Sequence, residues 1–115
     1  MGGSEGEFIG WKLTRSIHLL PAAEQDLLDA RFWLESQKSG LGLEFAQRVI
    51  AAVEALVSFP ELHGIVYADI RGAPIRKHPY VIYYRVSINS IEILAVLHGS
   101  RDPAILKSRA TFPPA

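Results

Sequence analysis

Cysteine is absent from the 115 residues. That excludes disulfides and thiolate metal sites, and it is the usage expected in a reducing cytoplasm. No apolar run approaches the roughly 20 residues that span a bilayer. Met1 to Thr14 has no charged start followed by an apolar block, so no signal peptide is expected there. His18, His63, His78 and His98 stand at no spacing that suggests a metal site. No glycine loop cradles a phosphate: Gly99 stands alone, and Gly40-x-Gly42 separates two helical stretches. Neither a metal nor another cofactor is expected. Net charge is missing too, with 12 bases against 12 acids.

What is present is a core. Apolar residues are 49% of the chain, and one domain is the natural expectation at this length. A domain of this size buries only about two-thirds of its unfolded surface, so its stability margin is thin. The charge is unevenly placed. Residues 1–62 hold nine acids and five bases, and residues 63–115 hold three acids and seven bases, so the halves are −4 and +4. This is either ordinary surface charge or a basic face for an acidic partner, nucleic acid or protein.

Residues 1–15 carry four glycines and no clear period, and are expected to be a weakly ordered extension. Ser16 to Leu20 is a short strand candidate stopped by Pro21, which suits the first turn of a helix. Ala23, Leu27, Ala30 and Leu34 fall on one face of that helix, and Ser39-Gly40 closes it. A second helix runs from about Leu41 to Ser58, with an apolar stripe of Ala46, Val49, Ile50, Val53 and Leu56, and Pro60 stops it. The short link makes the pair an antiparallel hairpin. The period then changes. Ile70 to Lys77 reads as an interrupted strand, with Gly72 and Pro74 marking an edge or bulge. Tyr80 to Ser87 is aromatic and β-branched, hence a strand. Ile91 to Leu97 is a second strong strand, apolar enough to be central. Pro103 is expected to end regular structure, leaving a tail with at most one helical turn. The order is β-α-α-β-β-β, and the economical packing is a two-layer α+β domain with the hairpin on a small antiparallel sheet.

Several of these strings resemble the RelE/ParE family of toxins from bacterial type II toxin–antitoxin systems. They are LLPAAEQDLLDA (19–30), Gly42 to Arg48 with Phe59-Pro60, HPYVIYYRV (78–86) and IEILAVLHGSRDP (91–103). The last two stand in the family's order and at its distance. The resemblance covers about residues 16–109, with 110–115 as a tail and 1–15 outside it. It implies a plasmid-stabilisation type of toxin, held in a hetero-oligomer by a cognate antitoxin. It also implies one of two actions: poisoning DNA gyrase, as ParE-like members do, or cutting mRNA on the ribosome, as RelE-like members do. A degenerate, non-toxic member is a third reading.

Cleavage by a 2′-hydroxyl needs a base, an acid and clustered cations around the phosphate. The resemblance places an arginine of the cleaving branch where this chain has Val81, and a Tyr or His end where this chain has RATFPPA. The ParE-like reading, binding without chemistry of its own, is therefore preferred. If the chain were a nuclease, His98 and Arg101 would be its catalytic pair. Otherwise HGSRD is a structural turn, with Asp102 holding Arg101, or a contact surface. The candidates for target or antitoxin binding are Arg71, Arg76, Lys77, His78, Tyr83, Arg85, His98, Arg101 and Asp102. Arg85 points with Tyr83 and Val81, either as a sheet-face salt bridge or as an anchor for an acidic antitoxin residue. Trp33 reads as a packing group. The interrupted strand and the outer face of the hairpin are the expected antitoxin surfaces.

Overall fold

A computed structural model describes residues 16–100 and 103–110. Strand β1 (Ser16–Leu19) leads into α1 (Pro21–Gln37), and α2 (Leu41–Ser58) returns antiparallel to it. Four strands follow: β2 (Ile65–Tyr67), β3 (Ile70–Pro74), β4 (Tyr80–Val86) and β5 (Ser90–His98). A last helix, α3, spans Pro103–Ala110. The sheet order is β1-β5-β4-β3-β2. Its β2 to β5 portion is antiparallel, and β1 joins β5 in parallel. The expected two-layer α+β fold is present, with one strand and one helix more than the sequence reading and with a mixed sheet.

Pro21 sits in the first helical turn of α1 after an extended Leu20, where its fixed φ and missing N–H cost nothing. Gly40 has φ +93°, the left-handed geometry that lets the chain reverse. The turn is then locked by a side chain. The Glu35 carboxylate accepts from Gly40 N–H at 3.0 Å and Gly42 N–H at 2.9 Å. A Cβ on Gly42 would meet Glu35 Oε1 at 2.9 Å and the Arg31 carbonyl at 3.0 Å, so only glycine lets the helices close here.

The core lies between the hairpin and one face of the sheet. Ala23, Ala30 and Leu34 of α1 and Phe45, Val49 and Leu56 of α2 meet Ala73, Ile82, Tyr84, Ile91, Ile93 and Val96. Tyr84 is buried, and its hydroxyl donates to the Pro60 carbonyl at 2.8 Å. Burial raises its pKa above the ordinary phenol value. The inner face of α2 follows the stripe read from sequence in part: Val49 and Leu56 are buried and Val53 packs against the core. Phe45 is buried, while Ile50 is 58% exposed. The apolar residues of α2 span more than half its circumference, so periodicity alone could not choose which of them turn inward.

Three further expectations are corrected. The strand at 70–77 ends at Pro74, and residues 75–77 enter the turn before β4. It is also interior, because the unforeseen β2 pairs outside it. Pro103 starts a helix where it was expected to end regular structure; proline suits a first helical turn as well as it stops a strand. Among the described residues no helix is long and apolar enough to cross a membrane.

Candidate functional site

Strand β5 is longer than its neighbour β1. The pairing of β1 ends at Leu19 opposite Ile93, and β5 runs on to His98. Leu94 falls at a bulge, since Tyr83 pairs with Ala95 while Tyr84 pairs with Ile93. Two side chains from distant parts of the chain cover the exposed edge. Asp26 of α1 accepts from the Val96 N–H at 3.0 Å. Arg109 of α3 donates to the Leu94 carbonyl at 2.9 Å. The two also grip each other through paired bonds of 2.9 and 3.1 Å, the bidentate geometry that suits a guanidinium and a carboxylate.

Beyond this clamp lies an open groove of about 560 Å³. One wall is α1, with Asp26, Asp29, Ala30 and Trp33. The other is the end of the β4–β5 hairpin, with Pro79, Tyr80, Val96, Leu97 and His98. Trp33 was read as a packing group, but it is 55% exposed and faces this groove. The His98 ring stands edge-on to Tyr80 at 5.7 Å, and Tyr80 stands likewise to the buried Phe45 at 5.3 Å. His98 Nδ1 accepts from the Ser100 N–H at 3.1 Å, with Ser100 Oγ at 2.8 Å. That contact assigns the ring proton of the neutral form to Nε2.

The candidate residues from the sequence do not gather into one cluster. Arg76 and Lys77 are exposed in the β3–β4 turn, and neither is in an ion pair with a described residue. His78 turns inward instead: its ring meets Phe45 at 5.4 Å, and Nε2 lies 3.3 Å from Glu44 Oε1. Arg71 donates to the His63 carbonyl at 2.7 Å, staying within the loop after α2. Arg85 and Tyr83 lie on the sheet face away from the α1–α2 hairpin. Tyr83 is half-buried. Arg85 is buried, 3.0 Å from Asp69, close to Glu92, and bonded to the Ala110 carbonyl at 3.0 Å. Arg85 is thus a sheet-face ion pair in this structure. His98 stands apart in the groove. Arg101 and Asp102 lie outside the described residues. No three His, Asp or Glu side chains converge as metal ligands among the described residues.

The sequence reading missed Asp26, Asp29, Trp33, Tyr80 and Arg109 as site residues. Nothing in the residues next to Asp26 or Arg109 marks them as partners. Their partnership spans 83 positions, and no local pattern records a contact of that range.

Residues 17–103 match the family model described as the ParE toxin of the type II toxin–antitoxin system parDE. The chain belongs to the ParE toxin family. Among solved structures it is similar to one described as the chromosomal ParDE toxin–antitoxin system from P. aeruginosa, with a TM-score of 0.66 and 17% identity. The match covers 74% of this chain and 96% of that one. No curated protein matches the chain significantly. Membership in the ParE family makes this chain the toxin of a type II pair, and so implies an antitoxin partner.

Proposed function

We propose that this ParE-family toxin stops growth by binding DNA gyrase, without cutting RNA, and that a cognate antitoxin neutralises it in the cytoplasm. The observation that carries the reading is where the cations go. Arg71, Arg85 and Arg109 are bound to carbonyls or carboxylates of the fold itself. An RNA-cleaving site would need such groups free around a phosphate. His98, the best acid–base candidate, opens instead onto a groove walled by Asp26 and Asp29.

Expression without antitoxin is expected to arrest growth, and purified protein is expected to inhibit gyrase supercoiling while leaving translated mRNA intact. Codon-linked cleavage of mRNA would replace this reading with the ribosome-dependent nuclease. His98→Ala is expected to keep most of the toxicity. Near-total loss in a folded variant would put His98 at the centre of a reaction.

The antitoxin surface we favour has two parts. The outer side of the hairpin exposes Leu28 and Phe32 of α1 and Leu43 and Ile50 of α2. The outer edge strand β2 exposes Ile65, Val66 and Tyr67. A flexible segment gains most where it covers apolar surface and pairs with a strand edge.

A further inference from the structure

The edge of β5 beyond the clamp has a defined hydrogen-bonding phase. Gly99 N–H bonds the Pro79 carbonyl, and Ile75 N–H bonds the Tyr80 carbonyl. Tyr80 stands opposite His98, and Ile82 opposite Val96. The alternation of an antiparallel ladder then turns the backbone groups of Val96 and His98 away from β4, toward the side that β1 has left. Asp26 takes the Val96 N–H. The Val96 carbonyl and the His98 N–H come next along that edge, and among the described residues neither has a partner. They form one wall of the groove. The facing wall offers the indole of Trp33 and the carboxylate of Asp29, one helical turn apart, with the Tyr80 ring at the end.

The charge of this groove has a definite sign. Asp26 is neutralised by Arg109. Asp29 accepts from the Gln25 amide at 2.8 Å and is in no ion pair with a described residue. Among the described residues no Lys or Arg lines the groove. A phosphate or carboxylate would meet repulsion there, whereas a cation would meet a counter-charge and two aromatic faces.

We infer that the groove docks an extended segment of a partner protein that carries an arginine. The segment's backbone pairs with Val96 C=O and His98 N–H as a strand in line with β1. Its guanidinium lies against Trp33 and Tyr80, with Asp29 as counter-ion. Arginine suits the place better than lysine because it is planar, stacks on rings and is less strongly hydrated. The volume is within the roughly 300–1,000 Å³ of sites that enclose small ligands, enough for one long side chain with its backbone. This holds whether or not gyrase is the target.

The test uses the full chain with Trp11→Phe, which leaves Trp33 as the one indole. A blocked pentapeptide Thr-Val-Arg-Val-Thr is titrated against Trp33 fluorescence, beside versions with Lys or Glu in place of Arg. Saturable binding of the Arg peptide is expected, weaker for Lys, and about tenfold weaker for Glu and for the Asp29→Asn protein. Equal affinity for the Arg and Glu peptides, or no change with Asp29→Asn, overturns the arginine site. Asp29 is exposed, and a melting curve shows that the variant is folded. Binding undiminished by N-methylation of the peptide backbone overturns the strand pairing. Growth arrest and gyrase inhibition are read separately, so loss of one claim leaves the other standing.

Discussion

Asp26 accepts three hydrogen bonds, two from Arg109 and one from the Val96 amide, and both charged side chains are largely buried. Removing either partner leaves the other desolvated without compensation. Asp26→Ala and Arg109→Ala are each expected to cost about 2–4 kcal/mol by urea denaturation. Together they should cost clearly less than the sum, because they break one unit; additive losses would show that the two act apart. Glu35 works differently. The amides of Gly40 and Gly42 hold its carboxyl below the usual carboxylate range. A depressed folded pKa gives stability that is present above the unfolded value and lost as pH falls through the folded one. Wild-type stability is therefore expected to drop more steeply on acidification than that of Glu35→Gln. Parallel pH profiles of the two would refute this role.

At the scale of elements, turns and core packing carry most of the risk. Ala68, between β2 and β3, and Lys77, before β4, both have positive φ, at 54° and 69°. A left-handed residue costs an L side chain roughly 1–2 kcal/mol, partly offset by the greater unfolded freedom of glycine. Lys77→Gly is expected to raise stability by about 0.5–1 kcal/mol, read as a higher melting temperature; a lower one would mean that the Lys77 side chain supports the turn. Leu56 is fully buried on the inner face of α2. Leu56→Ala is expected to cost about 2–5 kcal/mol. Ile50→Ala, on the exposed side of the same helix, should cost far less. That contrast tests the inner face seen here against the stripe suggested by periodicity.

The whole molecule leaves apolar surface uncovered on the helical hairpin. Phe32 is 81% exposed and Leu43 56%. A lone exposed side chain needs no partner, but a cluster on two adjacent helices marks an interface. Phe32→Lys is expected to change stability by less than about 0.5 kcal/mol. It should weaken antitoxin binding by about tenfold or more in calorimetry, as loss of an aromatic anchor does. Ile88, 86% exposed beyond the end of β4, is the control: Ile88→Lys should leave affinity unchanged. If Phe32→Lys also binds normally, the hairpin is not the antitoxin surface.

Local chemistry determines much of this protein without any tertiary contact. Proline at 21 and 60 and glycine at 40 punctuate the chain by dihedral preference, and α1 and α2 occupy the spans those residues delimit. The change from helical to alternating period fell where the sheet begins, and the ordered strings from Leu19 to Pro103 pointed to the family. The short strand β2 was not legible, because three residues carry too little pattern, nor was the eight-residue helix α3. The use of charge was hidden for a different reason. Whether a basic residue meets solvent, a carbonyl or a distant acid depends on which segments pack together. The fold ties up Arg71, Arg85 and Arg109, and it sets Trp33 and Asp29 beside the free edge of β5. Residue types and their spacing limited what this chain could be. Long-range packing decided which of its charges remain available to a partner.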